Sequence, residues 1–145
     1  MGRLVLAVID EYEVFAAERD VELQADVAEG VRVLGDALML SEMIGNLIDN
    51  AIRYSPGQST VWVSLSRDGT VARLRIADAG PGVSEAEAER IFERFYRGEQ
   101  ATQEGSGLGL AIVKEIADAH GAIVSIGPRA EGPGALVLVV LQALA

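Results

Sequence analysis

The sequence predicts an α+β protein, a two-layer α/β sandwich in which helices cover one face of a single mixed β-sheet. Some segments alternate apolar and polar residues, as half-buried strands do, and others repeat apolar residues at helical spacing. Strands slightly outnumber helices, and the closing strands are joined by a Gly/Pro-rich turn typical of hairpins. The length of 145 residues is sufficient for one domain with a substantial core.

The first elements follow from periodicity. Residues 3–19 repeat apolar side chains at helical spacing, and residues 21–27 alternate as a half-buried strand does. A turn at residues 29–30 leads into what we expect to be a second short strand at residues 31–34.

A long amphipathic helix follows. Asp36 is placed to cap its N-terminus, and a Ser-Pro-Gly sequence stops it after Tyr54. The chain has only two asparagines, Asn46 and Asn50; they lie one helical turn apart with Arg53 on the same side. The opposite side is apolar and predicts contact with the core through Leu40, Met43, Ile44, Leu47, Ile48, Ala51 and Ile52.

A hairpin and a second helix come next. Residues 60–66 and 71–77 predict two strands joined by a turn at residues 67–70. Ser84, followed three residues later by a glutamate, forms a capping box for a helix that we expect to reach about Phe95.

The last part of the chain begins with a polar, glycine-punctuated segment. Residues 97–107 show no periodicity and predict a mobile loop. A helix from about Leu108 to Ala119 follows. Strands at 122–127 and 135–141, joined by a turn at 127–134, close the chain.

Composition excludes several classes of function. The net charge of −10 argues against binding nucleic acid or anionic membrane through the overall field. The absence of cysteine excludes disulfides and thiol nucleophiles, and a single histidine, His120, excludes any mechanism that needs two. No apolar run is long enough to span a membrane, and no signal peptide is evident.

Three segments suit a nucleotide. The asparagine amides can bind a metal through oxygen without adding charge, next to an arginine that suits polyphosphate. Asp78 follows a strand and can accept a hydrogen bond from an amine, and nearby glycines let a flat ligand approach the backbone. The glycines at 105–109 lead into a helix whose N-terminus favours phosphate. The alternatives are solvated polar residues for the first segment and an ordinary strand-to-helix turn for the second.

Together and in this order, these segments resemble the catalytic and ATP-binding domain of bacterial sensor histidine kinases, in the superfamily shared with gyrase, Hsp90 and MutL. The resemblance extends from about residue 20 to the end and implies the Bergerat ATP-binding fold. The matching motifs are the N box around Asn46 and Asn50, the G1 box at 78–82, the F box at 91–97 and the G2 box at 105–110.

The resemblance implies a role for each matched residue. Asn50 corresponds to the Mg²⁺ ligand, and Asn46 lies near the metal and the phosphates. Arg53 would reach phosphate, Tyr54 would flank the base, and Asp78 would accept from the adenine amino group. The others are Gly80 and Gly82 at the base, Gly105, Ser106, Gly107, Leu108, Gly109 and Leu110 around the triphosphate, and Arg97, with Arg94, at the terminal phosphate or partner domain. Residues 97–107 would form the ATP lid. The implied catalytic set is Asn46, Asn50 and Arg97.

Asn46 also bears on the type of reaction. Hydrolysing members of the superfamily carry a glutamate at this position to activate water, and an asparagine cannot act as a general base. Glu42, one turn earlier, is the alternative base. The resemblance therefore favours phosphoryl transfer to a histidine over hydrolysis.

The chain shows no acceptor histidine in the expected helical-hairpin context, since His120 precedes a helix-ending glycine. We therefore expect an excised catalytic domain at residues 21–145, with residues 1–20 as a remnant of the connection to a dimerisation domain, or an acceptor on another polypeptide. Alternatives are an anti-sigma-factor-type serine kinase of the same superfamily and a non-catalytic nucleotide-sensing module.

The resemblance implies ATP and Mg²⁺ as cofactors. Its implied partners are the parent protein's own histidine-bearing dimerisation domain and a response regulator, with no nucleic acid. We expect a cytoplasmic, monomeric domain of a parent protein anchored in the inner membrane.

Overall fold

The computed structural model describes residues 1–93 and 109–145. Within these ranges the chain forms a five-stranded sheet and four helices. In chain order the elements are α1 (Gly2–Glu18), β1 (Val21–Val27), α2 (Ala37–Tyr54), β2 (Ser59–Asp68), β3 (Val71–Ala77), α3 (Glu85–Arg90), α4 (Gly109–Ala119), β4 (Ile123–Pro128) and β5 (Ala135–Gln142).

The sheet is mixed, with strand order β1-β2-β3-β5-β4. β1 and β2 are parallel because α2 forms the crossover between them, whereas the β2–β3 and β4–β5 hairpins are antiparallel. β3 and β5 also pair antiparallel, so that both long edges of β5 are occupied. This order places the end of β3 beside the start of β5, where the pocket described below is formed.

Helices pack on one face of the sheet, which confirms the predicted two-layer sandwich. Alternation places Val61, Val63 and Leu65 of β2 in the core and leaves the side chains between them half-buried on the other face. Leu74 and Ile76 of β3 lie in the same core. We call the sheet face away from the helices the open face.

α1 is an integral part of this core. Val5, Val8, Ile9 and Ala16 are buried and belong to the same hydrophobic cluster as α2 and the sheet. The assignment of residues 1–20 as a connection to another domain stays a prediction, and these contacts show that this helix also stabilises the domain.

Both predicted helix caps are confirmed. The Asp36 carboxylate accepts from the Met39 N–H at 2.9 Å, and the Ser84 hydroxyl accepts from the Glu87 N–H at 3.1 Å. Each side chain satisfies a backbone donor that the first helical turn leaves unpaired.

The predicted strand at residues 31–34 is wrong. Its only ladder contact among the described residues is a bridge between Val33 and Ala143. Because β3 and β4 already pair with the two edges of β5, residues 31–34 can pair only with residues beyond the end of β5.

The predicted helix from Ser84 to about Phe95 is also shorter than expected. α3 ends at Arg90, and none of its six residues is buried. Ile91 is buried and Phe92 packs against the core, so the chain leaves the helix where these side chains turn inward. Residues 94 and 95 lie outside the described ranges.

His120 connects two helix ends. Its Nε2 accepts from the Asp36 N–H at 3.1 Å, and its Nδ1 lies 2.8 Å from the Ile116 carbonyl oxygen. A neutral ring protonated on Nδ1 satisfies both bonds, since Nδ1 donates and Nε2 accepts. The sequence interpretation of His120 as a residue at the C-terminus of α4 is therefore extended: it also joins α4 to the start of α2.

Candidate functional site

The asparagine stripe lies on the less buried side of α2. Asn46 and Asn50 are half-buried, whereas Met43, Ile44 and Ile48 on the other side are fully buried. The predicted two-faced helix is therefore confirmed.

A pocket lies between the C-terminal half of α2 and the loop that follows β3. It spans about 430 Å³ of space between atoms, part of which is open to solvent. Four residues of the predicted site line it, namely Asn50, Tyr54, Asp78 and Gly82. Two further lining residues fall within the matched motifs, Pro81 in the G1 box and Ile91 in the F box. The sequence analysis assigned no role at the site to the rest of the described lining, which is Val83, Glu87, Ile126 and Ala135.

The pocket combines an apolar wall with a few polar groups. Val83, Ile91 and Ile126 provide a surface against which a flat aromatic base can pack. Asn50 and Tyr54 come from α2, and Asp78 directly follows β3. The apolar wall of the pocket therefore suits a base, and the side lined by Asn50 suits a polar group.

Asp78 is held in one orientation by backbone donors. Its side chain is 7% exposed, and its Oδ1 accepts from the Gly80 N–H at 2.9 Å and from the Ala135 N–H at 3.1 Å. Its own N–H donates to the Ala135 carbonyl at 2.9 Å. Because both of these bonds fall on one oxygen, the carboxylate retains acceptor capacity for a ligand.

Opposing effects act on the pKa of Asp78, and burial is the largest of them. Burial raises the pKa of this carboxyl above its ordinary value of 3.8, because the charged form loses hydration. The Gly80 and Ala135 N–H groups and the charge of Arg129 act in the opposite direction. No local pattern predicts that Ala135 or Arg129 acts on this residue, since both lie more than 50 positions away.

The loop after β3 is fastened to the end of α2. The Ala79 N–H donates to the Ser55 hydroxyl at 3.3 Å, and Ser55 is one of two buried polar side chains among the described residues. A Cβ on Gly80 would collide with the Tyr54 carbonyl group. Gly80 therefore shapes the loop and holds Asp78, whereas Gly82 lines the pocket.

Gly134 permits the closest backbone approach at this site. Its φ is +129°, and a Cβ there would overlap the Asp78 carbonyl group. We expect Gly134→Ala to lower the free energy of unfolding by about 2 kcal/mol, because the β5 start must move away from β3. Thermal and urea denaturation measure the loss.

Gly30→Ala is the matched control for this change. Gly30 also has a positive φ, +74°, but open space around its Cβ position, so it reports the cost of a side chain on left-handed backbone without a collision. Equal losses in the two variants would show that contact with Asp78 contributes nothing.

Arg53 does not lie in the pocket. Its Nε donates to the Asp49 carboxylate, and its guanidinium lies 5.0 Å from the centre of the Phe15 ring on α1. The pair is on the side of α2 that faces α1, and Arg53 is absent from the described pocket lining. Contact between Arg53 and phosphate therefore stays a prediction and requires this side chain to leave Asp49.

The residues present fit a magnesium nucleotide. Among the described residues there is no group of three or more His, Cys, Asp or Glu side chains able to hold a metal alone. A metal held by the neutral Asn50 amide therefore needs further oxygens, which a polyphosphate provides. The Asn46 Nδ2 is buried and has no hydrogen-bond partner in the described part of the chain, so it can donate to an incoming oxygen.

The remaining predicted residues fall mostly outside the described ranges. Arg94, Arg97, Gly105, Ser106, Gly107 and Leu108 belong to this set, as does the expected lid at residues 97–107. Gly109 and Leu110 begin α4, which packs against α2.

Comparison with known families identifies the domain type. The family described as histidine kinase-, DNA gyrase B- and HSP90-like ATPase matches residues 35–144. The chain is 38% identical over 144 residues to the sensor-like histidine kinase SenX3 of Mycobacterium tuberculosis strain H37Rv, covering 97% of this chain and 35% of that protein. It is 42% identical over 142 residues to the sensor protein kinase PmrB of Pseudomonas aeruginosa, covering 97% and 30%. The chain thus spans about a third of the length of these curated relatives.

Solved structures agree with the sequence relatives. The mycobacterial sensor histidine kinase MprB superposes with a TM-score of 0.86 at 32% identity, over 97% of this chain and 93% of that one. Full-length ShkA in complex with AMPPNP superposes with a TM-score of 0.86 at 31% identity, over 99% of this chain and 30% of that one. Together with the pocket, these matches show that the chain belongs to the histidine kinase-, DNA gyrase B- and HSP90-like ATPase family and corresponds to the catalytic domain of sensor histidine kinases.

Proposed function

We propose that this domain binds ATP with Mg²⁺ and transfers the γ-phosphoryl group to a histidine on a separate dimerisation domain. The observation that carries the proposal is the pocket that joins Asn50 and Tyr54 of α2 to the buried carboxylate of Asp78. The domain type implies ATP binding. One side of this pocket suits a base that donates a hydrogen bond, and the other suits the polar part of a nucleotide.

Each described residue has a distinct part in the proposal. Asp78 accepts a hydrogen bond from the adenine amino group, with its orientation set by the Gly80 and Ala135 N–H groups. The apolar wall, which includes Ile126, packs against the base. Asn50 would hold Mg²⁺, which when bound neutralises phosphate charge.

Asn46 supports transfer rather than hydrolysis. An amide at this position can position a phosphate oxygen but cannot remove a proton from water. Glu42 is exposed and lies one turn further from Asn50, outside the described lining of the pocket. We therefore assign catalysis to positioning by Asn46, Asn50 and Arg97, and not to a general base.

The partners follow from the domain type. We propose that the histidine belongs to the parent protein's dimerisation domain and that the phosphoryl group then passes to a response regulator. The relatives named sensor histidine kinases support both partners. We further propose that the isolated domain is monomeric and cytoplasmic, as part of a parent anchored in the inner membrane. Among the described residues, no helix combines the length and apolarity that a membrane crossing requires.

Calorimetric titration with ATP and ADP, with and without Mg²⁺ and with GTP as control, tests the binding step. We expect saturable binding that is selective for adenine and strengthened by Mg²⁺, with no appreciable turnover. Addition of a separately made histidine-bearing hairpin domain should then produce phosphohistidine on that domain. Rapid ATP hydrolysis by this chain alone would instead point to a hydrolysing enzyme, and binding without any transfer would indicate a nucleotide sensor.

A further inference from the structure

The turn that joins β4 to β5 packs directly against Asp78. Ala135, the first residue after the turn, makes two hydrogen bonds with Asp78. The Ala135 N–H donates to the Asp78 carboxylate, and the Asp78 N–H donates to the Ala135 carbonyl oxygen. Gly134 lies against the Asp78 carbonyl group, and the Gly134 carbonyl oxygen lies 3.2 Å from the Cβ position of Gly82. The position of this turn therefore decides where the Asp78 carboxylate and the loop after it lie.

Arg129 closes the same turn. Its N–H donates to the Gly134 carbonyl oxygen at 3.2 Å. Its guanidinium carbon lies 4.4 Å from the centre of the Trp62 ring, within the range of a cation–π contact. A Cβ on Gly132 would lie only 2.5 Å from the Arg129 Nη2, so the guanidinium is placed between the turn and the ring.

The Arg129 side chain is not simply solvated. Its Nε is buried and has no hydrogen-bond partner within residues 1–93 and 109–145. A guanidinium that gives up hydration at this atom needs compensation, which contact with an aromatic face and the packed turn can supply. This cost argues for a defined position and not for a freely moving surface arginine.

Trp62 connects Arg129 to β3, the strand that ends directly before Asp78. In the sheet register Trp62 of β2 lies opposite Ala77, the residue before Asp78. Trp62 is half-buried on the open face of the sheet. A path of direct contacts thus runs from Trp62 through Arg129 and the turn to Ala135 and the Asp78 carboxylate.

We propose that Arg129, stacked on Trp62, is a positioning residue for base recognition: it holds the β4–β5 turn so that Ala135 directs the Asp78 carboxylate at an adenine amino group. This inference rests on the proposed binding of adenine nucleotides. Arg129 acts through the turn and lies on the opposite side of the sheet from the ligand. Its charge also opposes the effect of burial on Asp78.

The test compares three variants of the full chain with the parent protein. Arg129→Met removes the charge and the planar group, and Arg129→Lys keeps the charge with a poorer stack. Arg75→Met is the matched control, because Arg75 lies on the open face of β3 and donates to the Ser66 hydroxyl at 3.1 Å, within the β2–β3 hairpin and not in the β4–β5 turn. ADP and GDP are titrated into each variant between pH 5 and pH 8, and circular dichroism verifies the fold.

We expect Arg129→Met to weaken ADP binding about fivefold, and to lower the ratio of ADP to GDP affinity, because a cation–π contact of this kind is lost. Arg129→Lys should lie between Arg129→Met and the parent protein, and Arg75→Met should stay within about twofold of the parent. In Arg129→Met the loss of ADP binding on acidification should begin at higher pH, whereas Arg129→Lys should keep the parent profile. A general loosening of the fold would not shift the pH profile of Arg129→Met while leaving that of Arg129→Lys unchanged.

Equal ADP affinity, base selectivity and pH profile in Arg129→Met and Arg75→Met would overturn the inference. If Arg129→Met fails to fold, Trp62→Leu removes the ring and retains the arginine, and unchanged base selectivity in that variant would overturn it equally. Absence of ADP binding by the parent protein overturns the proposed function and this inference together. Parent binding with an unaffected Arg129→Met overturns the positioning role alone.

Discussion

Replacement of Asp78 by asparagine is expected to reduce the affinity for ATP about 100-fold, which corresponds to about 2.7 kcal/mol. The carboxylate Oδ1 already accepts from the Gly80 and Ala135 N–H groups. An asparagine must keep its oxygen at that position, so its NH₂ group faces the base. A donor then opposes the donating adenine amino group, and a buried mismatch of this kind costs about 1–3 kcal/mol.

Calorimetric titration of ATP and GTP into Asp78→Asn measures this effect. The loss should fall mainly on ATP, because the substituted amide offers a donor that guanine's carbonyl can accept. Unchanged affinities for both nucleotides would contradict the assignment of Asp78 to the base. Gly134→Ala provides a comparison in which the carboxylate is retained and its support is displaced.

The same carboxyl makes stability depend on pH in a defined direction. Because burial raises the pKa of Asp78 above 3.8, the folded state retains the proton at pH values where the unfolded chain has released it. The contribution of this group to the free energy of unfolding therefore falls as pH rises from the unfolded pKa to the folded pKa. The free energy of unfolding of the parent protein and of Asp78→Asn is measured by denaturation across pH 3–7. The decrease assigned to this carboxyl should appear in the parent protein and be absent from Asp78→Asn.

Asn50→Ala is expected to remove the Mg²⁺-dependent part of nucleotide affinity, a loss of about 100-fold or more in the presence of Mg²⁺. Asn50 is the described asparagine that lines the pocket, and its amide oxygen is the neutral ligand proposed for the metal. Alanine favours the helix more than asparagine does, so α2 should remain folded.

Titration of ATP in Mg²⁺ and in EDTA separates the two contributions within one variant. Affinity in EDTA should change little between the parent and Asn50→Ala, whereas the gain from Mg²⁺ should disappear. Retention of the full Mg²⁺ gain would rule out Asn50 as the metal ligand. Asn46→Ala, which removes the unpartnered amide and leaves Asn50 in place, should retain part of that gain.

Local patterns predicted most of the elements. The apolar stripe of α2, the alternation of β2 and β3, and the caps at Asp36 and Ser84 are properties of short segments, and each is confirmed. Local patterns failed where distant parts of the chain decide. Residues 31–34 alternate like a strand, but the edges of β5 are already occupied. α3 ends at Arg90 because Ile91 and Phe92 turn to the core.

The amino-acid sequence by itself determined the order of the motifs, the two faces of α2 and the residue types suited to a magnesium nucleotide, because these depend on spacing within one element. Only the tertiary structure decided which residues meet. It brought Ala135 and Arg129 to Asp78, placed Ser55 under the loop and directed Arg53 to Asp49 and Phe15. The physical reason is that hydrogen bonds and desolvation act through space, so residues far apart in the chain set the orientation and charge of a carboxylate whose own segment shows only that it follows a strand.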